Sequence, residues 1–341
     1  MKRFLAALIL LAIAASGFAA WSLLRPYAAF EGEAFVDIPK GSSTRGIAAR
    51  LEQEHVVEHE WQFLLARMLH PRTKLQAGEY SFTKADTPLG VFSRIAKGDV
   101  FHYDLVIPEG QNLFDVAAAV GKLGWISESD FMRAAKDPAL IRDLAPEAQS
   151  LEGYLFPDTY RLTGHATAKD ICRIMTQRFR AAWKRLPKAS MPLSDAVTLA
   201  SLIEKEAAAS EDRPMISSVF HNRLKAGMKL DCDPTTVYAA LLEGRYRGTI
   251  YQSDLASRNP YNTYQHVGLP PGPIANPGLA SLRAALQPAE SDYVFFVARP
   301  DGSGRHIFSK DLAAHNQAAE LYRSAIKKSN QKTAPARVPG K

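Results

Sequence analysis

The residues with the clearest chemical potential lie together in Leu199-Ala200-Ser201-Leu202-Ile203-Glu204-Lys205-Glu206. On a helix turning about 100° per residue, Glu206 falls on the stripe made by Leu199, Leu202 and Ile203, roughly 20°, 40° and 60° from each. Glu204 falls about 200° away, beside Val197, Ala200 and Ser201. A carboxyl that continues an apolar stripe is desolvated, and desolvation raises its pKa so that it holds a proton near neutral pH. General acid catalysis, for example on a glycosidic oxygen, needs such a group. The competing reading is a helix end whose last carboxylate simply reaches water.

A second pattern suggests different chemistry. His55-Val56-Val57-Glu58-His59 matches H-x-x-E-H, an inverted zincin signature. It binds zinc only when both histidines lie on one helical face. An internal repeat argues against that. Ile38-Pro39-Lys40-Gly41 followed by Gly46-Ile47-Ala48-Ala49 recurs 69 residues later as Ile107-Pro108-Glu109-Gly110 and Asp115-Val116-Ala117-Ala118. In the second copy the stretch matching His55–His59 reads Gly124-Trp125-Ile126-Ser127-Glu128, a helix–helix connection, so the histidines are expected to straddle a turn.

The elements that must position these groups follow from the same patterns. Each repeat copy predicts a short strand, a Pro-x-Gly turn and an amphipathic helix (Ile47 and Leu51; Val116 and Val120), then a second helix near Trp61–Leu65 and near Phe131-Met132. Gly78–Phe82 alternates as a strand, and Thr87–Ala96 reads as a helix. Helical periodicity is strong from Asp195 to Ala209 and from Pro214 to Ala226. Loops rich in Pro and Gly follow, at Asp233-Pro234-Thr235 and Gly268–Pro273. Tyr293–Ala298 is a strand-like run that could pair with His306–Ser309 across Pro300–Gly304.

Composition narrows the function classes. The chain has 341 residues, 46% of them hydrophobic, which suffices for two domains. The formal charge of +7 invites a nucleic-acid reading, but eight basic residues flank the first apolar run or lie in the tail: Lys2, Arg3, Arg25, Lys327, Lys328, Lys332, Arg337 and Lys341. Setting them aside leaves 34 basic against 35 acidic residues. No basic stripe for nucleic-acid phosphates is expected. Phe4–Leu24 carries no charge and is long enough to cross a hydrocarbon core of about 30 Å. Lys2 and Arg3 ahead of it favour a cytoplasmic N-terminus. A cleaved signal peptide is the alternative, given Gly17, Ala19 and Ala20, but the run exceeds the usual apolar region of such signals. Either way the rest of the chain is exported. Cys172 and Cys232 are too few for a disulfide scaffold, and two buried or free thiols are the simpler reading.

Three blocks together resemble the endolytic murein transglycosylases of the MltG (YceG-like) family: LASLIEKEAAASEDRPMISSVFHNRLKAGMKLDCDPTTVY (199–238), YNTYQHVGLPPGPIANPG (261–278) and EGYLFPDTY (152–160). The likeness extends from the apolar run to about Tyr322. It implies that Glu206, the second glutamate of the E-K-E run, is catalytic, in agreement with the stripe. It also implies a LysM-like N-terminal subdomain, a carbohydrate-binding fold that the first repeat copy resembles. A glycosidase that uses water needs a second carboxylate. A lytic transglycosylase instead uses the C6 hydroxyl of N-acetylmuramic acid (MurNAc), so one carboxyl suffices, with no metal and no cofactor. Asn222, Asp233, Asn262 and Tyr264 are polar or aromatic positions in the blocks and are the substrate-binding candidates. Asn222 and Arg223 could equally brace a helix pair, and Asp233-Pro234 is a turn signal. Glu152 and Asp158 are further carboxylates that could reach the cleft, while His306 and His315 read as structural. Cys232 departs from the family pattern, which has a small polar residue there.

The expected architecture is therefore α+β: residues 1–3 a cytoplasmic tip, 4–24 a transmembrane helix, 32–103 a LysM-like subdomain, 104–325 a mixed α+β catalytic transglycosylase domain, and 327–341 a flexible basic tail. The resemblance implies an inner-membrane, single-pass enzyme facing the periplasm, acting on peptidoglycan glycan strands beside a penicillin-binding protein of the bifunctional synthase type. A non-enzymatic peptidoglycan-binding scaffold of the synthesis machinery is the alternative. A scaffold has no use for a carboxyl on an apolar stripe.

Overall fold

The computed structural model describes residues 2–188 and 191–333. The chain begins with α1 (Lys2–Leu24), followed by β1 (Ala34–Ile38), α2 (Thr44–Gln53), α3 (Glu60–Leu69), β2 (Gly78–Phe82) and α4 (Pro88–Lys97). Next come β3 (Tyr103–Ile107), α5 (Leu113–Gly121), α6 (Glu128–Ala135), β4 (Asp158–Leu162) and α7 (Ala168–Trp183). The remainder is α8 (Leu193–Glu206), α9 (Arg213–Lys225), α10 (Asp233–Leu242), α11 (Gln252–Leu255), α12 (Leu279–Leu286), β5 (Phe295–Ala298), β6 (His306–Ser309) and α13 (Leu312–Thr333). Among the described residues, three two-stranded sheets, β1–β2, β3–β4 and β5–β6, place the fold in the α+β class. The chain divides into two compact units: residues 1–104 with 160–166, and residues 105–159 with 167–341.

In the first unit β1 and β2 pair antiparallel, Ala34 opposite Phe82 and Ile38 opposite Gly78. Alternate side chains point inward, so Val36, Ile38, Tyr80 and Phe82 meet Ile47 and Leu51 of α2, Phe63 of α3 and Val91 and Ile95 of α4 in one core. Caps fix the helix starts: Ser43 accepts from Gly46 N–H and Thr87 from Gly90 N–H. The repeat is visible, since strand, helix and helix recur as β3, α5 and α6. His55 sits between α2 and α3 in a left-handed conformation (φ 56°), and His59 precedes α3. The two histidines therefore do not share a helical face, and the zinc reading falls.

In the second unit α8 is the central helix. Every residue from Ala196 to Ile203 is buried, and α8 packs on α9, α10 and α12. It stops at Glu206 rather than running to Ala209, because Ala207 turns extended (ψ 94°) and Ser210–Asp212 forms a 3-10 turn. The hairpin β5–β6 pairs Phe295 with Ser309. The tail differs from expectation. Helix α13 continues to Thr333, so residues 327–333 are helical, while 334–341 lie outside the described residues. Helix α1 is long and apolar enough to cross a membrane.

Candidate active site

Glu206 is the last helical residue of α8, where the helix hands over to an extended chain. The side chain is half-buried by surface area, yet its carboxyl is heavily desolvated, and that pushes its pKa up to about 7. Three neighbours modulate the shift. The Cys232 thiol donates a hydrogen bond to the carboxyl and lowers it, Asp233 raises it, and the Arg223 guanidinium lowers it. A carboxyl poised there can give a proton near neutrality and take it back.

Cys232 is placed for this by the backbone before α10. Its N–H donates to Thr263 Oγ1 at 3.0 Å, its carbonyl accepts from Thr235 Oγ1 at 2.7 Å, and the two threonine hydroxyls are 2.9 Å apart. All three residues are buried, with Cys232 left as a free thiol whose pKa burial raises. Asp231, just before, is left-handed (φ 47°), and its carboxylate accepts from Arg223 Nη1 at 3.1 Å. Arg223 also donates to the carbonyls of Lys229, Leu230 and Val294, so one buried guanidinium holds the turn leading to Cys232.

The candidate binding residues separate into two groups. Asp233 begins α10, is exposed, lies close enough to affect Glu206, and accepts from the Tyr264 hydroxyl at 2.6 Å. Burial first and Asp233 second hold that phenol well above its ordinary range. Asp233 and Tyr264 thus form a polar rim beside the carboxyl. Asn222 and Asn262 do structural work instead. The Asn222 amide donates to the carbonyls of Ser291 and Tyr293, bracing α9 against the chain entering β5. Asn262 is fully buried, and its amide reaches the carbonyls of Asp254, Leu255 and Ser257, organising its own loop.

The other carboxylates are likewise structural. The Glu204 side chain is 5% exposed rather than solvent-facing. It accepts from Arg213 Nη2 at 3.1 Å and from Gly278 N–H at 2.9 Å, tying α8 to the starts of α9 and α12. Periodicity placed Glu204 on the opposite side of α8 from Glu206, but that side is covered too. Glu152 is fully buried and accepts from Leu113 N–H, the Tyr238 hydroxyl and the Asn276 amide at 2.9, 2.9 and 3.2 Å. Burial pushes it up to about 8. Asp158 pairs with Arg178. His306 is bonded to Asp212, as a structural histidine would be.

Sequence reasoning did not find Glu152, Asn276 or the Thr235–Thr263 pair as the groups that assemble the blocks. Their signal was present only as polar residues inside matched segments. Asn276 joins Leu155 N–H to its Oδ1 at 2.9 Å, Ser201 Oγ accepts from Ile274 N–H at 3.1 Å, and a Cβ on Gly153 would collide with Pro273 and Val197. The segments around 152, 201 and 274 are thereby locked together. A cavity of about 200 Å³, lined by Tyr154, Asp195, Thr198, Tyr261 and Pro273, adjoins the opposite end of α8 from Glu206.

Comparison with known proteins follows the same segments. A family model described as the YceG-like family matches residues 36–321. The endolytic murein transglycosylase of Bacillus subtilis (strain 168) is 34% identical over 310 residues, covering 85% of each chain. That of Streptococcus pneumoniae serotype 2 (strain D39) is 30% identical over 298 residues, covering 77% of this chain and 54% of the longer relative. The crystal structure of the yceG-like protein lmo1499 from Listeria monocytogenes aligns with a TM-score of 0.55 at 34% identity, covering 84% of this chain and 98% of that one.

Proposed function

The chain belongs to the YceG-like family and is a lytic transglycosylase; from that premise we propose that it cuts within murein glycan strands, with Glu206 as both acid and base. The bond cleaved joins MurNAc to N-acetylglucosamine. The observation that carries this reading is the desolvated Glu206 carboxyl at the end of α8, protonated up to about pH 7 and held by the Cys232 thiol.

The steps balance without water. Protonated Glu206 gives its proton to the glycosidic oxygen as the bond from C1 of MurNAc to that oxygen breaks. The carboxylate left behind then takes the proton of the C6 hydroxyl as that oxygen closes on C1. The products are a 1,6-anhydro-MurNAc end and a free hydroxyl on the departing sugar, and Glu206 is again protonated. An internal nucleophile carries an effective-molarity advantage over water. Asp233 and the Tyr264 phenol supply the adjacent polar rim for the sugar.

Residues 32–103 act as a LysM-like subdomain that holds glycan, a role supported by their strand–helix–helix–strand order. Helix α1 is a single-pass inner-membrane anchor with its N-terminus in the cytoplasm and the two units in the periplasm, supported by its length, its apolarity and the preceding Lys2 and Arg3. An anchored site reaches newly made strands close to the membrane, which favours strand termination beside a bifunctional penicillin-binding protein.

The test is to digest purified sacculi with the full chain in detergent and analyse the ends by mass spectrometry. Internal fragments with anhydro ends are expected. Reducing ends would mean hydrolysis. No fragments at all, from folded protein, would favour a glycan-binding scaffold.

A further inference from the structure

Helix α3 carries large apolar side chains exposed outside the core of the first unit. Gln62, Phe63 and Ala66 point into the core of the first unit. On the other side Trp61 and Met68, at i and i+7, form an exposed stripe that continues to Leu69, while Leu65 beside them is partly buried and packs against the core. Trp61 is 38% exposed, Met68 74% and Leu69 58%. Such a stripe on the outside of a small unit calls for a partner.

The packing of α3 against α1 indicates which partner. The Trp61 ring stacks on Phe18, with centroids 6.2 Å apart and planes 26° apart. Gln62 Nε2 donates to Ser22 Oγ at 2.7 Å in a buried contact, and Arg25 lies 3.7 Å from Glu58 just before α3. Phe18 stands six residues before the end of α1, which is about 9 Å along the helix axis. If α1 spans a bilayer up to Leu24, the residue that touches Phe18 is carried to the depth of the lipid interface. Trp61 is also of the residue type that favours that depth.

Charge points the same way. Between Trp61 and Gly78 there is no acidic residue, while Arg67, His70, Arg72 and Lys74 follow or flank the stripe, with Arg72 and Lys74 exposed. An apolar helical face continued by basic residues suits an anionic bilayer surface, the apolar side chains entering the acyl boundary and the cations meeting headgroups.

We propose that α3 is a second membrane contact, lying in the lipid–water interface beside α1 with Trp61, Met68 and Leu69 against lipid and the Arg72–Lys74 loop against anionic headgroups. The proposal rests on the reading of α1 as a membrane span. It fixes the first unit at the bilayer surface instead of leaving it free on a flexible tether.

The experiment uses the full chain in nanodiscs of phosphatidylcholine and phosphatidylglycerol, with an environment-sensitive fluorophore placed by Met68→Cys. The native Cys172 and Cys232 are buried, and labelling of the unsubstituted protein sets the background. Leu11→Cys, in the middle of α1, reports on the span, and Leu242→Cys, exposed in the second unit, gives the aqueous reference. The expected result is blue-shifted emission at position 68, quenched by brominated lipid to at least about half the extent seen at position 11. Water-like, unquenched emission at 68 with quenching at 11 overturns the proposal and leaves the anchor standing. Blue-shifted but unquenched emission at 68 means a protein covers the stripe and also overturns it. Unquenched emission at 11 removes the span, and the proposal with it.

Discussion

Replacing Glu206 with Gln should make the protein more stable at alkaline pH while ending cleavage. The folded-state pKa is about 7 against an ordinary 4.5, a rise of about 2.5 units driven first by desolvation. At about 1.36 kcal/mol per unit this is about 3 kcal/mol, an upper bound because part of the side chain meets solvent. The sign follows from proton counting. Below about pH 4.5 the carboxyl is protonated both folded and unfolded and contributes nothing. Between about 4.5 and 7 the unfolded chain releases a proton that the folded chain keeps, so stability falls as pH rises. Above about 7 the whole deficit is present. Gln is close in shape and cannot ionise, so it should match the wild type near pH 4 and exceed it by up to about 3 kcal/mol at pH 8. Denaturant unfolding of the full chain in detergent, followed by tryptophan fluorescence at both pH values, reads the difference. An equal effect at pH 4 and pH 8, or a less stable Gln variant at pH 8, would refute the desolvated carboxyl. Retained cleavage by the Gln variant would refute its role.

Cys232→Ala removes the thiol that lowers the Glu206 pKa, so the decline of activity on the alkaline side should move to higher pH; a pH–rate profile identical to wild type would show that the thiol has no hold on the carboxyl. Glu204→Gln breaks a buried ion pair with Arg213 and should cost about 3 kcal/mol of stability while folded protein still cleaves. A thermal midpoint equal to wild type would contradict the pairing. Glu152→Ala leaves three buried donors without an acceptor, and a loss of at least about 3 kcal/mol is expected in the same unfolding assay.

The parts of the molecule that sequence makes legible are those governed by local periodicity. The strands Gly78–Phe82 and His306–Ser309 and the start of each repeat copy fall where alternation and Pro-x-Gly turns put them. The turn at His55–His59 was readable because the repeat supplied a second sample of the same local problem. The placement of Glu206 was readable in the same way, since helical phase is a local property. Glu204 shows the limit of phase: it gives direction but not what lies in that direction, and Arg213 and Gly278 cover the far side of α8. Asn222 and Asn262 could not be told from sugar ligands because the carbonyls that use up their amides belong to other turns of chain. The Cys232 thiol was visible only as a departure from pattern, since its direction depends on two threonines 28 residues apart.

Glu152 also bears on how the second unit comes into being. Its three partners lie 39, 86 and 124 residues away along the chain. Contacts of such span form late and slow folding, because long loops must close before they are rewarded. A chain growing from its N-terminus presents Leu113 and Glu152 long before Tyr238, and Tyr238 before Asn276. Until Asn276 emerges the knot cannot be tied, and the apolar length of α8, already made, has no α12 to lie against. The contacts of Glu152 therefore close only late in synthesis, and the nascent form before that is the stage most exposed to proteases and to aggregation.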